Sequence, residues 1–212
     1  MERNQKQAKS AIVVPDGLTE VLLHTCCAPC SSAIVEWMLA NGVRPVIFYY
    51  NPNIFPREEY EIRKQESKRH AESLGVRWLD GDYDHDNWLG DICGLESEPE
   101  RGHRCERCFF LRLKATAEKA RELGIPYFTT TLASSRWKNI EQINRAGQAA
   151  EETTPNSPKF WAQNWRKGGL SDRRNQLLKE FDFYNQQYCG CEFSFRHSAT
   201  KQSEKTISTP TI

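Results

Sequence analysis

Apolar residues along this chain come in short runs separated by longer amphipathic stretches. Val21-Leu22-Leu23 reads as a short buried strand. A cysteine-rich turn follows, and Ser31 or Ser32 is expected to cap a helix carrying Ala33, Val35, Trp37 and Leu39, with Gly42 ending it. Val46 to Tyr50 predicts a second strand, bounded by Asn51-Pro52-Asn53. Arg57 to Leu74 has the period of a charged amphipathic helix stopping at Gly75, and Val76 to Leu79 predicts a third strand. This β-α-β-α-β order is the pattern of a parallel sheet covered by helices.

The second half is less regular. Asp80 to Gly102 reads as an acidic loop, and a helix is expected from Cys105 to Leu123, before Gly124. Pro126 to Leu132 predicts a strand, Asn139 to Glu152 a helix, and Ser171 to Tyr184 another helix. Thr153 to Gly169 is expected to be irregular, and Cys189 to Phe195 closes the ordered chain. Polar composition predicts a disordered leader over 1–18 and a disordered tail over 196–212. The expectation is a single α/β domain over 19–195, Rossmann-like, mostly parallel, with helices on both faces. In such sheets ligands bind beyond the carboxyl ends of the strands. The first cysteine group follows strand one at such an end, and the segment around Thr130 is expected at another.

Composition narrows the class. A chain of 212 residues is long enough for one domain with a real core and short for two. With 38% hydrophobic and 27% charged residues it should be globular, and it has no run of eighteen apolar residues to span a membrane. Met1 to Ser10 is polar and carries Arg3, Lys6 and Lys9, unlike a secretory signal, so a cytoplasmic location is expected. A net charge of +1 gives no overall attraction to nucleic acid, so RNA binding would need a local basic patch. Arg136-Trp137-Lys138-Asn139 and the segment from Trp161 to Arg174, with Trp165, Arg166 and Lys167, combine basic and aromatic side chains. Arg57, Arg63, Lys64, Lys68 and Arg69 could form a phosphate track, or a solvated face, because Glu58, Glu59, Glu61 and Glu66 interleave with them.

The eight cysteines change the picture most. In a chain without a secretion signal, clustered thiols more often bind metal or do redox work than form a disulfide scaffold. Cys26, Cys27 and Cys30 lie between a strand and a helix start, where helix N–H groups favour thiolate. Cys105 and Cys108 form a C-x-x-C at a helix start, flanked by Arg104 and Arg107, which are expected to lower the thiol pKa values. Tetrathiolate ligation suits zinc or an iron–sulfur cluster. The wide separation of the two groups, and a fifth thiol beyond what a closed zinc site needs, favour the cluster. Cys189-Gly190-Cys191 can form a strained, labile disulfide, or can supply two further ligands or buried thiols. Cys93 is alone and receives no role.

Read in order, these motifs resemble the cobalamin-independent, QueH-type epoxyqueuosine reductases. The resemblance runs through Leu22 to Cys30, Tyr49 to Ile54, Glu59, Tyr60 and Arg63, Gly81-Asp82-Tyr83-Asp84 with Trp88, Arg104 to Cys108 with Phe110, Arg112 and Leu113, Phe128 to Leu132, and Gln186 to Ser194. It covers roughly 20–195, and the ordered set is far more specific than any one motif. It implies reduction of epoxyqueuosine to queuosine at the wobble position (34) of tRNA, the last step of queuosine biosynthesis. It also implies a [4Fe-4S] cluster on Cys26, Cys27, Cys105 and Cys108, and a redox-active pair, Cys189 and Cys191. An additional iron is implied too, with Cys30 as its ligand or as an alternative ligand of the cluster. The partners are then tRNA and an electron donor the sequence does not identify.

The fold implied is that of the nucleotide alpha hydrolases. The turn after strand one has no glycine, however, so a phosphate cradle there is not expected. The dithiol pair would exchange electrons while iron acts as a Lewis acid toward the epoxide. Asp82, Tyr83, Tyr188 and His24 are candidate proton donors by motif proximity only; His24 reads more readily as a residue that supports the ligands or is satisfied in the core, and Asp80 to Asp86 as a solvated loop. Two other readings remain at this stage: a zinc-stabilised nucleic-acid-binding protein without catalysis, and a metal-free thiol–disulfide oxidoreductase.

Overall fold

The sheet is built around one strand buried on both faces. In the computed structural model, which describes residues 12–194, the strands are β1 (Glu20–Thr25), β2 (Arg44–Tyr49), β3 (Trp78–Asp80), β4 (Tyr127–Thr130) and β5 (Lys159–Phe160). Their order is β3-β2-β1-β4-β5, and every pairing is parallel. Leu22 of the central strand stands opposite Val46 on one side and Phe128 on the other. Val21, Leu22 and Leu23 are all fully buried, so β1 is a continuous apolar run rather than an alternating one.

The helices are α1 (Ala28–Ala40), α2 (Arg57–Ser73), α3 (His85–Asp91), α4 (His103–Glu122), α5 (Ile140–Thr153) and α6 (Leu170–Glu180). From β1 the chain steps outward to β2 and β3, then crosses back to β4 and β5 on the other side. With right-handed crossovers, that reversal puts helices on opposite faces. Accordingly α1 packs with α2 and α6, and α4 packs with α5. The reversal also opens a crevice at the carboxyl ends of β1 and β4, the switch point where α/β sheets bind ligands.

Several expected boundaries move for identifiable reasons. Helix α1 starts at Ala28 with Cys27 as its N-cap, not at a serine. Pro29 suits the first turn because its missing N–H has no helical partner there, and Ser31 Oγ donates back to the Cys27 carbonyl at 3.1 Å. The expected acidic loop contains α3, capped by the Asp84 carboxylate on Asn87 N–H at 3.0 Å. The fourth strand ends at Thr130, and Thr131–Ser134 continues as a 3-10 turn. The stretch expected to be irregular supplies the edge strand β5. The last helix ends at Glu180, because the following residues turn toward α2.

The expected leader divides. Residues 1–11, like the tail from 195 onward, lie outside the described residues. Ile12 and Val14 pack against the core, and Leu18 is buried within it.

Candidate metal centre

The crevice is assembled from the ends of the central strands. His24, fully buried on β1, accepts at Nδ1 from the Thr130 hydroxyl at 2.8 Å and donates from Nε2 to the Tyr50 carbonyl at 3.1 Å. A carbonyl can only accept, so this pair of bonds fixes the neutral tautomer. Burial, reinforced by the Arg112 charge, pulls the His24 pKa down to about 3. Both ring nitrogens are therefore committed to tying β1 to β4 and to the end of β2, and His24 is no proton donor.

Immediately beyond it, the sulfurs of Cys26, Cys27 and Cys30 lie within 4.8 Å of one another, with Cys26 and Cys27 at 3.9 Å. The arrangement follows from local structure: Cys27 is the extended N-cap and Cys30 lies in the first turn of α1. The three thiols do not titrate alike. Hydrogen bonds from Cys27 and Cys30 hold Cys26 well below the ordinary thiol range. Burial pushes Cys27 up, and its bond to Cys26 takes Cys30 to about 11. Gln186 adds an amide donor, with Nε2 at 3.2 Å from Cys27 Sγ and 3.5 Å from Cys30 Sγ.

The second pair stands at the start of α4, Cys105 in the first turn and Cys108 in the second. Arg104 and Arg107 do not lower these thiol pKa values, contrary to the sequence expectation. Arg104 is turned onto the carbonyls of Leu95, Glu96 and Glu98, and Arg107 donates to Asp91 at 3.1 Å. Burial dominates instead, taking Cys105 to about 12 and raising Cys108. Donors still reach both sulfurs. Arg101 N–H donates to Cys105 Sγ at 3.3 Å, while Arg112 and the otherwise unpartnered indole N–H of Trp88 favour the Cys108 thiolate. Cys108 packs with Cys191, Trp88 and Ile92 in one small apolar cluster.

Cys189 is exposed and Cys191 buried, and neither is in a disulfide. Cys191 Sγ meets Ser194 Oγ at 3.1 Å. Gly190 between them has φ +126°, and a Cβ there would stand 3.1 Å from Ile54 and 3.2 Å from Arg63, so only glycine fits. The loop is held by α2. Arg63, 1% exposed, donates to the carbonyls of Cys189 at 3.2 Å and Tyr188 at 3.3 Å, and pairs with Glu59 at 2.6 Å. Glu59 accepts from the Tyr184 hydroxyl at 2.6 Å, Glu66 accepts from Tyr184 N–H at 2.9 Å, and His70 meets Phe181 and Phe183 edge-on at 5.2 Å. Residues 59, 63, 66 and 70 share one helical face. That face is a rail for the carboxy-terminal limb, not a phosphate track. The other basic residues named for the track are paired as well: Arg57 with Glu61, Lys64 with Asp80, Lys68 with Glu72 and Arg69 with Glu66.

Two cations complete the crevice, and sequence reasoning had assigned neither to it. Arg112 is 2% exposed, donates to Asn51 Oδ1 at 2.5 Å, and acts on His24, Cys26 and Cys108 through its charge. Burial pulls Lys138 down, but the charges of Cys189, Cys26 and Cys30 more than offset this and its pKa is raised. Neither cation pairs with a carboxylate among the described residues. Arg112 is buried and Lys138 half-buried, and buried positive charge needs a counter-charge. Thiolates provide it, and an oxidised tetrathiolate iron–sulfur centre is dianionic, so the residues present fit such a group.

The remaining sequence candidates are placed as follows. Asp82 is exposed after β3. The Tyr188 hydroxyl donates to the Phe55 carbonyl, and its pKa is raised by burial and then by Glu59. The Tyr83 hydroxyl donates to the Ile54 carbonyl at 2.8 Å. Trp161 and Trp165 are core residues packed on Trp37 and on each other, and are closed to RNA stacking. Arg166 donates to the Lys138 carbonyl at 2.7 Å and to that of Ser135, so it is a structural clamp.

Comparison with known proteins places the chain in a family. The family model described as "Epoxyqueuosine reductase QueH" matches residues 21–197. Proteins named epoxyqueuosine reductase QueH from Haemophilus influenzae and Acinetobacter baylyi are each 46% identical, covering 93% and 86% of this chain and 80% and 84% of their own length. The QueH of Thermotoga maritima is 37% identical over 87% of this chain and 94% of its own. Among solved structures, the U34-tRNA thiolase NcsA from Methanococcus maripaludis, with its [4Fe-4S] cluster, superposes with a TM-score of 0.50. At 12% identity, covering 98% of this chain and 72% of that one, it shares the fold. The chain belongs to the QueH family of epoxyqueuosine reductases.

Proposed function

We propose that this protein reduces epoxyqueuosine to queuosine at the wobble position of tRNA, using a [4Fe-4S] cluster held by Cys26, Cys27, Cys105 and Cys108. The observation that carries this reading is the donor set of a QueH-family chain: thiols from two elements, with N–H or cationic donors at Cys27, Cys105 and Cys108 and the charges of Lys138 and Arg112 acting on Cys26. Donors to the sulfurs and nearby charge are the means by which proteins set the potential of such clusters. When bound, the cluster supplies one-electron transfer and a Lewis-acidic iron.

Removing an epoxide oxygen breaks two C–O bonds, forms one C=C bond and releases water. It consumes two electrons and two protons. Oxidation of the Cys189 and Cys191 thiols to a disulfide releases that same number of each, so the pair balances the reaction. A reductant from outside the chain then restores the dithiol. Exposed Cys189 is the thiol that substrate reaches, and buried Cys191 resolves it. Lys138, beside Cys189, provides positive charge where negative charge develops on oxygen. The substrate is cytoplasmic tRNA, and no helix among the described residues is long and apolar enough to cross a membrane.

One observation favours a second reading. The 3.9 Å separation of Cys26 and Cys27 sulfurs matches the edge of a tetrahedral metal–thiolate site, roughly 3.8 Å for a metal–sulfur bond of about 2.3 Å. A single ion on Cys26, Cys27 and Cys30, either the additional iron or zinc, would satisfy that geometry. Anaerobic purification followed by iron, zinc and acid-labile sulfide analysis separates the readings. The cluster predicts about four irons and four sulfides per chain, with visible absorption that bleaches on reduction and turnover of epoxyqueuosine-tRNA. Extra iron without sulfide supports the additional site. Zinc without sulfide, and no turnover, overturns the reductase mechanism.

A further inference from the structure

Trp137 is 66% exposed, more than any other aromatic side chain among the described residues named as exposed. A single exposed apolar residue is ordinary. What distinguishes this one is how firmly its loop is held. Arg101 Nε donates to the Trp137 carbonyl at 2.7 Å, and Arg166 donates to the carbonyls on either side, Ser135 and Lys138. Lys138 N–H closes the turn on Ser135 O at 3.2 Å. Arg101 itself has φ +68°, unusual for a side chain of its size, and its carbonyl accepts from Gln142 Nε2 at 2.6 Å. Backbone held in a sparsely populated region is a reason to look for function.

The loop also lies at the rim of the thiol centre. The N–H of Arg101, whose side chain grips Trp137, donates to Cys105 Sγ. The residue after Trp137 is Lys138, the cation among Cys189, Cys26 and Cys30. The guanidinium of Arg136 lies 4.7 Å from the centroid of the Trp137 ring. One rim therefore carries an exposed indole on a firmly held backbone, with Arg136 and Arg101 beside it and no carboxylate paired to Arg136 among the described residues. An indole face accepts any nucleobase, and the cations match the phosphates on either side of it. The loop adjoins the thiol centre that the wobble nucleotide must reach, and this favours RNA over a protein or membrane partner.

We propose that Trp137, with Arg136 and Arg101 beside it, is a stacking platform for an unpaired RNA base flanking the nucleotide presented to the thiol centre. This rests on the reading of tRNA as substrate. Stacking would hold the neighbouring base while the wobble nucleotide is drawn away from it, and would orient the anticodon loop before any chemistry.

The test is binding of a fluorescein-labelled anticodon stem-loop RNA to the anaerobically purified full chain, by anisotropy over a range of salt. Trp137→Ala should weaken binding about tenfold, with the salt slope unchanged, and Trp137→Phe should recover most of the loss. Arg136→Ala should lower the slope by about one phosphate contact. A stem-loop made abasic at the position flanking the wobble nucleotide should lose affinity for the wild-type protein but be indifferent to Trp137→Ala. Wild-type binding with Trp137→Ala within about twofold of it would overturn the platform alone, leaving the tRNA reading intact. Absence of binding by the wild-type protein to the stem-loop and to whole tRNA would overturn both.

Discussion

The two thiol groups that Cys27 and Cys189 represent are anchored by different physics. Cys26, Cys27 and Cys30 grow directly from β1 and the first turn of α1, beside a core in which Leu22, Leu23 and Val35 are fully buried. Burial fixes them, and moving them would mean disrupting the sheet. Cys189 and Cys191 lie on a limb without strand pairing, docked on α2 by directional bonds from Arg63, Glu59 and Glu66 and by Phe55 N–H on the Gly190 carbonyl at 2.8 Å. Elements held by few polar bonds open at lower free energy than the core they rest on. A ligand site benefits from the first kind of anchorage. A pair that must close to a disulfide and reopen benefits from the second.

The sharpest way to break this comparison is to remove one thiol from each group. Cys27→Ala should cost the bound iron and sulfide together with activity. Cys189→Ser should lower turnover on the order of 10³-fold or more while leaving iron, sulfide and the visible spectrum unchanged. Metal analysis, spectroscopy and a single-turnover assay on both variants settle the matter. If Cys189→Ser loses the cluster, the carboxy-terminal loop is a ligand element and the division is wrong.

The strand-end group was legible in the sequence and its support was not. Buried strands announce themselves as apolar runs, so β1 and β2 were read to within two residues, and the cysteines fall where a parallel sheet places ligands. Glu59, Arg63, Glu66 and His70 instead look like a solvated helix face, because their partners at 181–189 are more than a hundred residues away. Their 4-3-4 spacing was the available signal: one stripe carrying both charges and a histidine. Trp161 and Trp165 misled in the opposite direction, since an aromatic beside Arg166 and Lys167 reads as an RNA surface until three tryptophans are seen packed together. Lys138 was quoted as part of a basic segment, but only the tertiary fold brings it to the thiols.

Arg63 tests the rail at its centre. Arg63→Met strips the guanidinium from Glu59 and from two carbonyls, leaving a buried carboxylate with one donor, Tyr184. Denaturant titration should show a loss of about 3–5 kcal/mol, the usual cost of orphaning one member of a buried pair. The double variant Glu59→Met with Arg63→Met should recover much of that stability. It should not restore the loop: Cys189 and Cys191 should alkylate faster with iodoacetamide in both variants, while Cys26 and Cys27 stay protected. Equal protection of all four would mean that the loop is held by something other than α2.

The smallest effect lies at the far end of the same stripe. His70 is 1% exposed, meets the stacked rings of Phe181 and Phe183 edge-on, and has no hydrogen-bond partner on either ring nitrogen. Burial lowers its pKa, so the folded protein holds it neutral. Its contribution to stability is then complete above the ordinary histidine value near 6.5 and declines as pH falls below it, at no more than about 1.4 kcal/mol per pH unit. Protonation would also place a charge against the two stacked rings that begin the limb, loosening the path to Cys189. His70→Phe keeps the aromatic contacts and removes the titration. Between pH 7.5 and 5.5 the wild-type protein should lose about 1 kcal/mol more stability than this variant in urea, and its Cys189 should become more reactive toward alkylation than the variant's at the lower pH. The core-anchored thiols should show no such difference. If the variant and the wild type track each other across that range, the rail's apolar end does not depend on a neutral imidazole, and the limb's hold on α2 rests on the polar bonds of Glu59, Arg63 and Glu66.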